Sequence, residues 1–237
     1  MALNPALAIL ALGAISNASL ADANFARLVS IIPNRNPAPV MSLYLDYAAE
    51  TPKNAVVNTL AATYLSPRRL ELFKAIEAFH QRAMSARNPL AHWMIGFCKE
   101  VPNALILRDP RLWLREADKI HKQHKAARRA FKALDQSGME ASIKAMEEMH
   151  EENAALFSAY VQKDFEDLSA LLMKSNEFIT EFDVLMTFDR ANHPEGVQKA
   201  QQLAQTPEIR SLILKRRKAL KAQKAKLRSQ RAQNLSG

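Results

Sequence analysis

Proline placement constrains this chain more than any other feature. Thr51-Pro52, Ser66-Pro67 and Asn88-Pro89 each set proline directly after a residue able to cap a helix. Proline suits the first helical position because its missing N–H has no intrahelical partner there and its φ is already helical. Pro110 opens a fourth such stretch, and Pro33-Asn34-Arg35-Asn36-Pro37-Ala38-Pro39 is a loop with three prolines in seven residues. The chain is therefore cut into helical segments of defined starts.

The apolar spacing inside those segments has a helical period. Leu7, Leu10, Ala14, Ala18, Ala21, Phe25, Leu28 and Ile32 form one stripe, which predicts a first helix over 5–32. The stripe crosses Ala21-Asp22-Ala23, the site at which a signal peptide could be cut. No basic residue precedes the apolar run, so a core helix is the better reading. No run of wholly apolar residues reaches the length of a membrane span, so no membrane partner is expected. Further helices are expected over 40–49, 51–65 and 67–86. "WMIGFC" and "ALILR" flank "KEVPN" as a small β-hairpin, and "LFSAYV" can add a strand. Helices at 111–135 and 139–156, joined at Ser137-Gly138, form a protruding αα-hairpin. Asp164 caps a helix with the seam Phe165, Leu168, Leu172, Ser175, Ile179, Phe182 and Met186, and "RANHPEG" ends it. The expected fold class is mainly α: a helical bundle with a protruding αα-hairpin and a small β-hairpin. The scarcity of glycine, five in 237 residues, agrees with it.

Charge divides the chain into 1–207 and 208–237. The net charge is +9. Residues 208–237 hold ten Lys/Arg against one acid and carry all of the excess, while 1–207 sum to zero. The tail "LKRRKALKAQKAKLRSQR" has no aromatic residue to stack on bases. It predicts nonspecific contact with a polyanion such as RNA through Lys215, Arg216, Arg217, Lys218, Lys221 and Lys224. Cys98 is the sole cysteine, which excludes an intrachain disulfide and fits a reducing, cytoplasmic setting.

The segment "SARNPLAHWMIGF" carries the sharpest chemistry. With Asn88 as N-cap and Pro89 at N1, Arg87 falls at N′ and His92 at N4, positions that face each other across a helix start. Free N–H groups there make an anion site, and the positive end favours a neutral imidazole. A guanidinium, an imidazole and a helix start together suit a phosphate and proton transfer beside it. "RNPLAH" resembles the Arg-x(4–6)-His signature of the HEPN superfamily, all-helical and frequently dimeric proteins that include metal-independent ribonucleases. The resemblance in layout covers about 5–187, with 111–156 as a helical-hairpin insertion. It implies His92 as catalytic acid/base, Arg87 as stabiliser of phosphate charge and Asn88 as orienter, in a cleft between two subunits. A homodimer, an RNA substrate, no cofactor, and a toxin–antitoxin or defence setting with an antitoxin or other protein partner follow from the same resemblance. Met94 stands where one subgroup carries a tyrosine.

Two other readings are open. One is a non-enzymatic helical interaction protein with a basic, polyanion-binding tail. The other is a metal-carrying bundle: His124 and His150 fall at equal heights in the expected hairpin, with His121 and Glu147 nearby, and Glu77-x-x-His80 and Glu147-x-x-His150 echo di-iron bundles. The histidine seam needs no metal, and no metal ligand is assigned.

Overall fold

The computed structural model describes residues 4–33, 38–46, 50–92, 94–96, 101, 103–133, 136–141, 143–145 and 157–235. The protein is mainly α with one small antiparallel sheet. The helices are α1 (Pro5–Ile31), α2 (Ala38–Asp46), α3 (Glu50–Tyr64), α4 (Pro67–His92), α5 (Pro110–Lys132), α6 (Gln162–Arg190), α7 (Glu195–Gln205) and α8 (Pro207–Leu235). The strands β1 (Met94–Gly96), β2 (Leu105–Arg108) and β3 (Phe157–Tyr160) pair in that order. Met94 lies opposite Arg108, and Leu105 opposite Tyr160. The hairpin and its third strand stand where the sequence predicts them.

Two compact units divide the chain differently from the boundary at 207. One comprises 1–16 and 86–169, the other 17–85 and 170–237. The first contains the sheet, α5 and the helical residues 136–141 and 143–145. Leu105 and Leu107 point inward from β2, and Tyr160 lies against Phe165 with ring centroids 5.8 Å apart. The second holds the larger core, in which Phe25, Phe73, Phe178 and Phe182 are fully or almost fully buried. Phe25 stacks on Phe73 at 6.0 Å, and Phe79 meets Phe178 edge-on at 5.0 Å.

The stripe on α1 is the buried side of that helix, from Leu7 to Leu28 and on to Ile32, with only Leu10 half-buried. The helix is continuous through Ala21–Ala23. Contrary to the expectation from apolar runs, α1 is long and apolar enough to cross a membrane by length and composition, with a mean hydropathy of 1.5 over 18 residues. A core helix of a soluble protein and a signal sequence meet the same length and composition, and 28% of this window is buried.

The end and start of α6 come from local chemistry. Asp164 is not the N-cap. It sits at the third helical position and accepts a bond from Val161 N–H at 2.8 Å, half of a capping box. At the other end Asn192 takes φ 51°, and His193 N–H bonds the Phe188 carbonyl while Asn192 N–H bonds that of Asp189. This is a Schellman stop with asparagine in the left-handed position. The chain then turns tightly into α7, where Gly196 is needed: a Cβ there would lie 3.0 Å from Asp189 Oδ1.

The basic tail is rooted in the fold rather than appended to it. Ile209 and Ile213 are buried in the second unit's core, with Leu212 packed beside them. The division at 207 follows charge, and charge does not report that the first two turns of α8 are apolar on one side.

Candidate functional site

The residues of "RNPLAH" do not form a helix start. α4 runs unbroken to His92, with Pro89 inside it. Pro89 lacks the N–H that would bond the Ser85 carbonyl, at the boundary between the two units. An interior proline costs about 3 kcal/mol. Continuing the helix keeps Leu90 on the same side as Ala83, two turns away, and both are buried, which offsets that cost. Three consequences correct the sequence reading. Asn88 is a half-buried interior residue, not a cap. Arg87 and His92, five residues apart on one helix, diverge by about 140°. His92 is the last helical residue and exposed, so it meets the free carbonyls of a helix end rather than the free N–H groups of a start. Arg87 is half-buried, and its Nε has no hydrogen-bond partner among the described residues. One chain therefore does not bring Arg87, Asn88 and His92 together around a phosphate.

The histidine with an assembled environment is His80, also on α4. It is 3% exposed and stacked on Phe25 at 4.5 Å. Its Nδ1 lies 3.2 Å from Ser175 Oγ, and its Nε2 lies 3.8 Å from Asp22 Oδ1. Tyr44 donates its hydroxyl to the same Asp22 oxygen at 3.1 Å. The His80 imidazole beside it holds the Asp22 carboxyl below its usual range, against burial, with Lys53 adding to the effect. Serine, histidine and aspartate are thus connected, but Ser175 is 1% exposed and its Oγ faces the core. The network satisfies polar groups inside the bundle. Glu77, whose spacing to His80 echoes a di-iron bundle, pairs with Lys74 at 2.6 Å. The only sequence signal for His80 was the Glu77-x-x-His80 spacing, and that pointed to a different partner. Asp22 and Ser175 are brought to it by topology alone.

The histidine seam, for which a metal was one alternative reading, is open where it is described. His121 and His124 are exposed, while Glu147 and His150 lie outside the described residues. No group of metal ligands occurs among the described residues. His124, Ala127, Arg128 and Phe131 of α5 line an open cavity of about 550 Å³ together with Met139 and Ile143, which belong to the described part of the predicted hairpin.

The basic residues of α8 divide into two kinds. Lys215, Arg216, Lys218, Lys221 and Lys224 are exposed and have no ion-pair partner among the described residues. Arg217 instead grips Glu71 through two bonds of 2.6 Å, and this guanidinium holds the Glu71 carboxyl below its usual range. Arg217 is a clamp between α8 and α4, not a free phosphate contact. Beside it a groove of about 1060 Å³ is lined by Arg68, Arg69, Arg210 and Tyr64, with Arg69 fixed to Asp189 by bonds of 2.6 and 2.7 Å.

A second basic surface escaped the sequence reading. α5 carries eight Lys/Arg against two acids. Lys122, Lys125, Arg128, Arg129 and Lys132 are all exposed and fall within about 120° of its circumference. Acids elsewhere in 1–207 cancel this charge in the sum. The signal was present, and counting charge by helix would have shown it.

Comparison with protein-family models, curated proteins and solved structures returned no match, so the likeness to the HEPN superfamily rests on the six residues Arg87–His92.

Proposed function

We propose that this protein binds RNA through the exposed basic residues of α8. The observation that carries this reading is the rooting of that helix. Ile209 and Ile213 anchor it in a core, Arg217 clamps it to Glu71, and Lys215, Arg216, Lys218, Lys221 and Lys224 continue outward on the same rod, exposed and with no ion pair among the described residues. From Lys215 to Lys224 the rod rises about 14 Å, long enough to meet several successive phosphates. Contacts of this kind are electrostatic and indifferent to sequence.

Cleavage draws less support. Arg87 and His92 diverge, and a phosphate held between them would require a second chain to supply the missing group. Binding through α8 requires neither residue. The test is incubation with mixed RNAs in EDTA, alongside retention of the same RNAs on the protein at low salt. Retention without cleavage, unchanged by His92→Ala and weakened when Lys215, Arg216, Lys218, Lys221 and Lys224 become Gln, is the expected result. Cleavage abolished by His92→Ala would restore the ribonuclease reading. Retention unaltered by the α8 changes would overturn the present one.

A further inference from the structure

The αα-hairpin cavity combines features that α8 lacks. Its walls are Ala127, Phe131, Met139 and Ile143, and His124 and Arg128 bring polar groups to the same space. At about 550 Å³ it is of ordinary size for a small ligand group. Phe131 is 69% exposed, so the ring is presented rather than packed away. Arg128 belongs also to the basic arc of α5, next to Lys125, Arg129 and Lys132.

A flat, partly polar group flanked by negative charge fits such a slot. An unstacked nucleobase has two apolar faces for an aromatic ring and edge groups for an arginine or histidine, and its neighbours on the strand are phosphates. A lipid surface fits less well. A helix lying on a bilayer offers acyl chains a continuous apolar face, whereas the apolar residues of this slot share it with His124 and Arg128. We propose that the hairpin slot takes an unstacked base of a single-stranded nucleic acid while Lys125, Arg128, Arg129 and Lys132 hold the flanking phosphates. This rests on the nucleic-acid reading above but on different residues in the other unit. It gives the protein a preference for single strands that an aromatic-free basic helix cannot supply.

The test is binding of the full chain to a labelled single-stranded RNA of about twelve nucleotides and to a duplex of equal length. Phe131→Ala is expected to weaken single-strand binding at least about fivefold, with duplex binding and the salt slope unchanged. Phe131→Trp is expected to keep the single-strand preference. Lys125, Arg129 and Lys132 changed together to Gln should weaken both ligands and reduce the single-strand salt slope by about 2. Equal affinity of Phe131→Ala and the parent chain for the single strand would overturn the proposal. So would an equal loss on single strand and duplex, or Phe131-dependent binding to phosphatidylserine vesicles in place of RNA. Neutralising α8 separates the two readings. If the Phe131 effect persists while α8 proves dispensable, the slot stands and the α8 reading falls. If α8 carries all binding and Phe131→Ala changes nothing, the slot falls and the α8 reading stands.

Discussion

α5 and α8 are both basic helices, yet their charges are arranged differently. α8 has basic residues on every side beyond its buried root, and it is anchored by Ile209, Ile213 and the Arg217–Glu71 clamp. α5 gathers Lys122, Lys125, Arg128, Arg129 and Lys132 on one arc and sets Ala127 and Phe131 beside it, lining the hairpin cavity. A helix charged all round offers attraction without orientation. A helix charged on one side, beside an aromatic slot, can also distinguish what it holds. The excess charge of the tail is visible in any sum over the chain; the arc of α5 is visible only when charge is counted along one helix and wrapped at 3.6 residues per turn.

The largest effect that separates the two helices concerns their roots. Ile209→Ala should destabilise the protein by about 2–5 kcal/mol in denaturant unfolding, because Ile209 is wholly buried. Phe131→Ala on α5 should change stability by no more than about 0.5 kcal/mol. Similar losses in both would mean that the α5 cavity is as much a core as the base of α8.

Salt dependence comes next. Changing Lys215, Arg216, Lys218, Lys221 and Lys224 to Gln should flatten the log–log slope for single-stranded RNA by about 2–3. It should leave the preference for single strand over duplex in place. A loss of that preference would move the discrimination from α5 to α8.

Within α8, neighbours should behave differently. Arg217→Gln should lower the unfolding midpoint and barely alter RNA binding, since that guanidinium is already engaged by Glu71. Lys218→Gln should weaken RNA binding and leave the midpoint unchanged. Identical behaviour of the two variants would show that the clamp is not maintained in solution.

The smallest effect is an acid-side one, and it belongs to the core that anchors α8 rather than to α5. Asp22 is held below its ordinary value of 3.8 by the neighbouring His80 imidazole. Its contribution is fully present above that value and is lost as pH falls through the lowered one, because the unfolded state then binds the proton more readily. Asp22→Asn should therefore flatten the loss of stability below about pH 4. Unchanged acid sensitivity in that variant would remove Asp22 from the network.

Much of the fold was legible because it is local. The buried stripe of α1, the seam of α6 from Phe165 to Met186, and the hairpin around β1 and β2 follow from period and punctuation. The candidate site was less legible, and for a specific reason. Asn88-Pro89 has the same letters whether it opens a helix or interrupts one. The choice was made by what else is gained when the helix continues, which includes the burial of Leu90. The motif thus singled out His92, an exposed helix end, while the connected histidine is His80, whose partners lie 58 residues before it and 95 after it.

By itself, the sequence determined the helical class, the positions of most breaks and the concentration of excess charge in the last thirty residues, since each depends on residues within a few turns of one another. Tertiary structure alone decided that Pro89 lies inside a helix, that α8 begins in a core and that Arg217 is a clamp. It also decided that Asp22, His80 and Ser175 meet. Each of these turns on burial or on a partner distant in the chain, and neither burial nor long-range pairing leaves a period in the sequence.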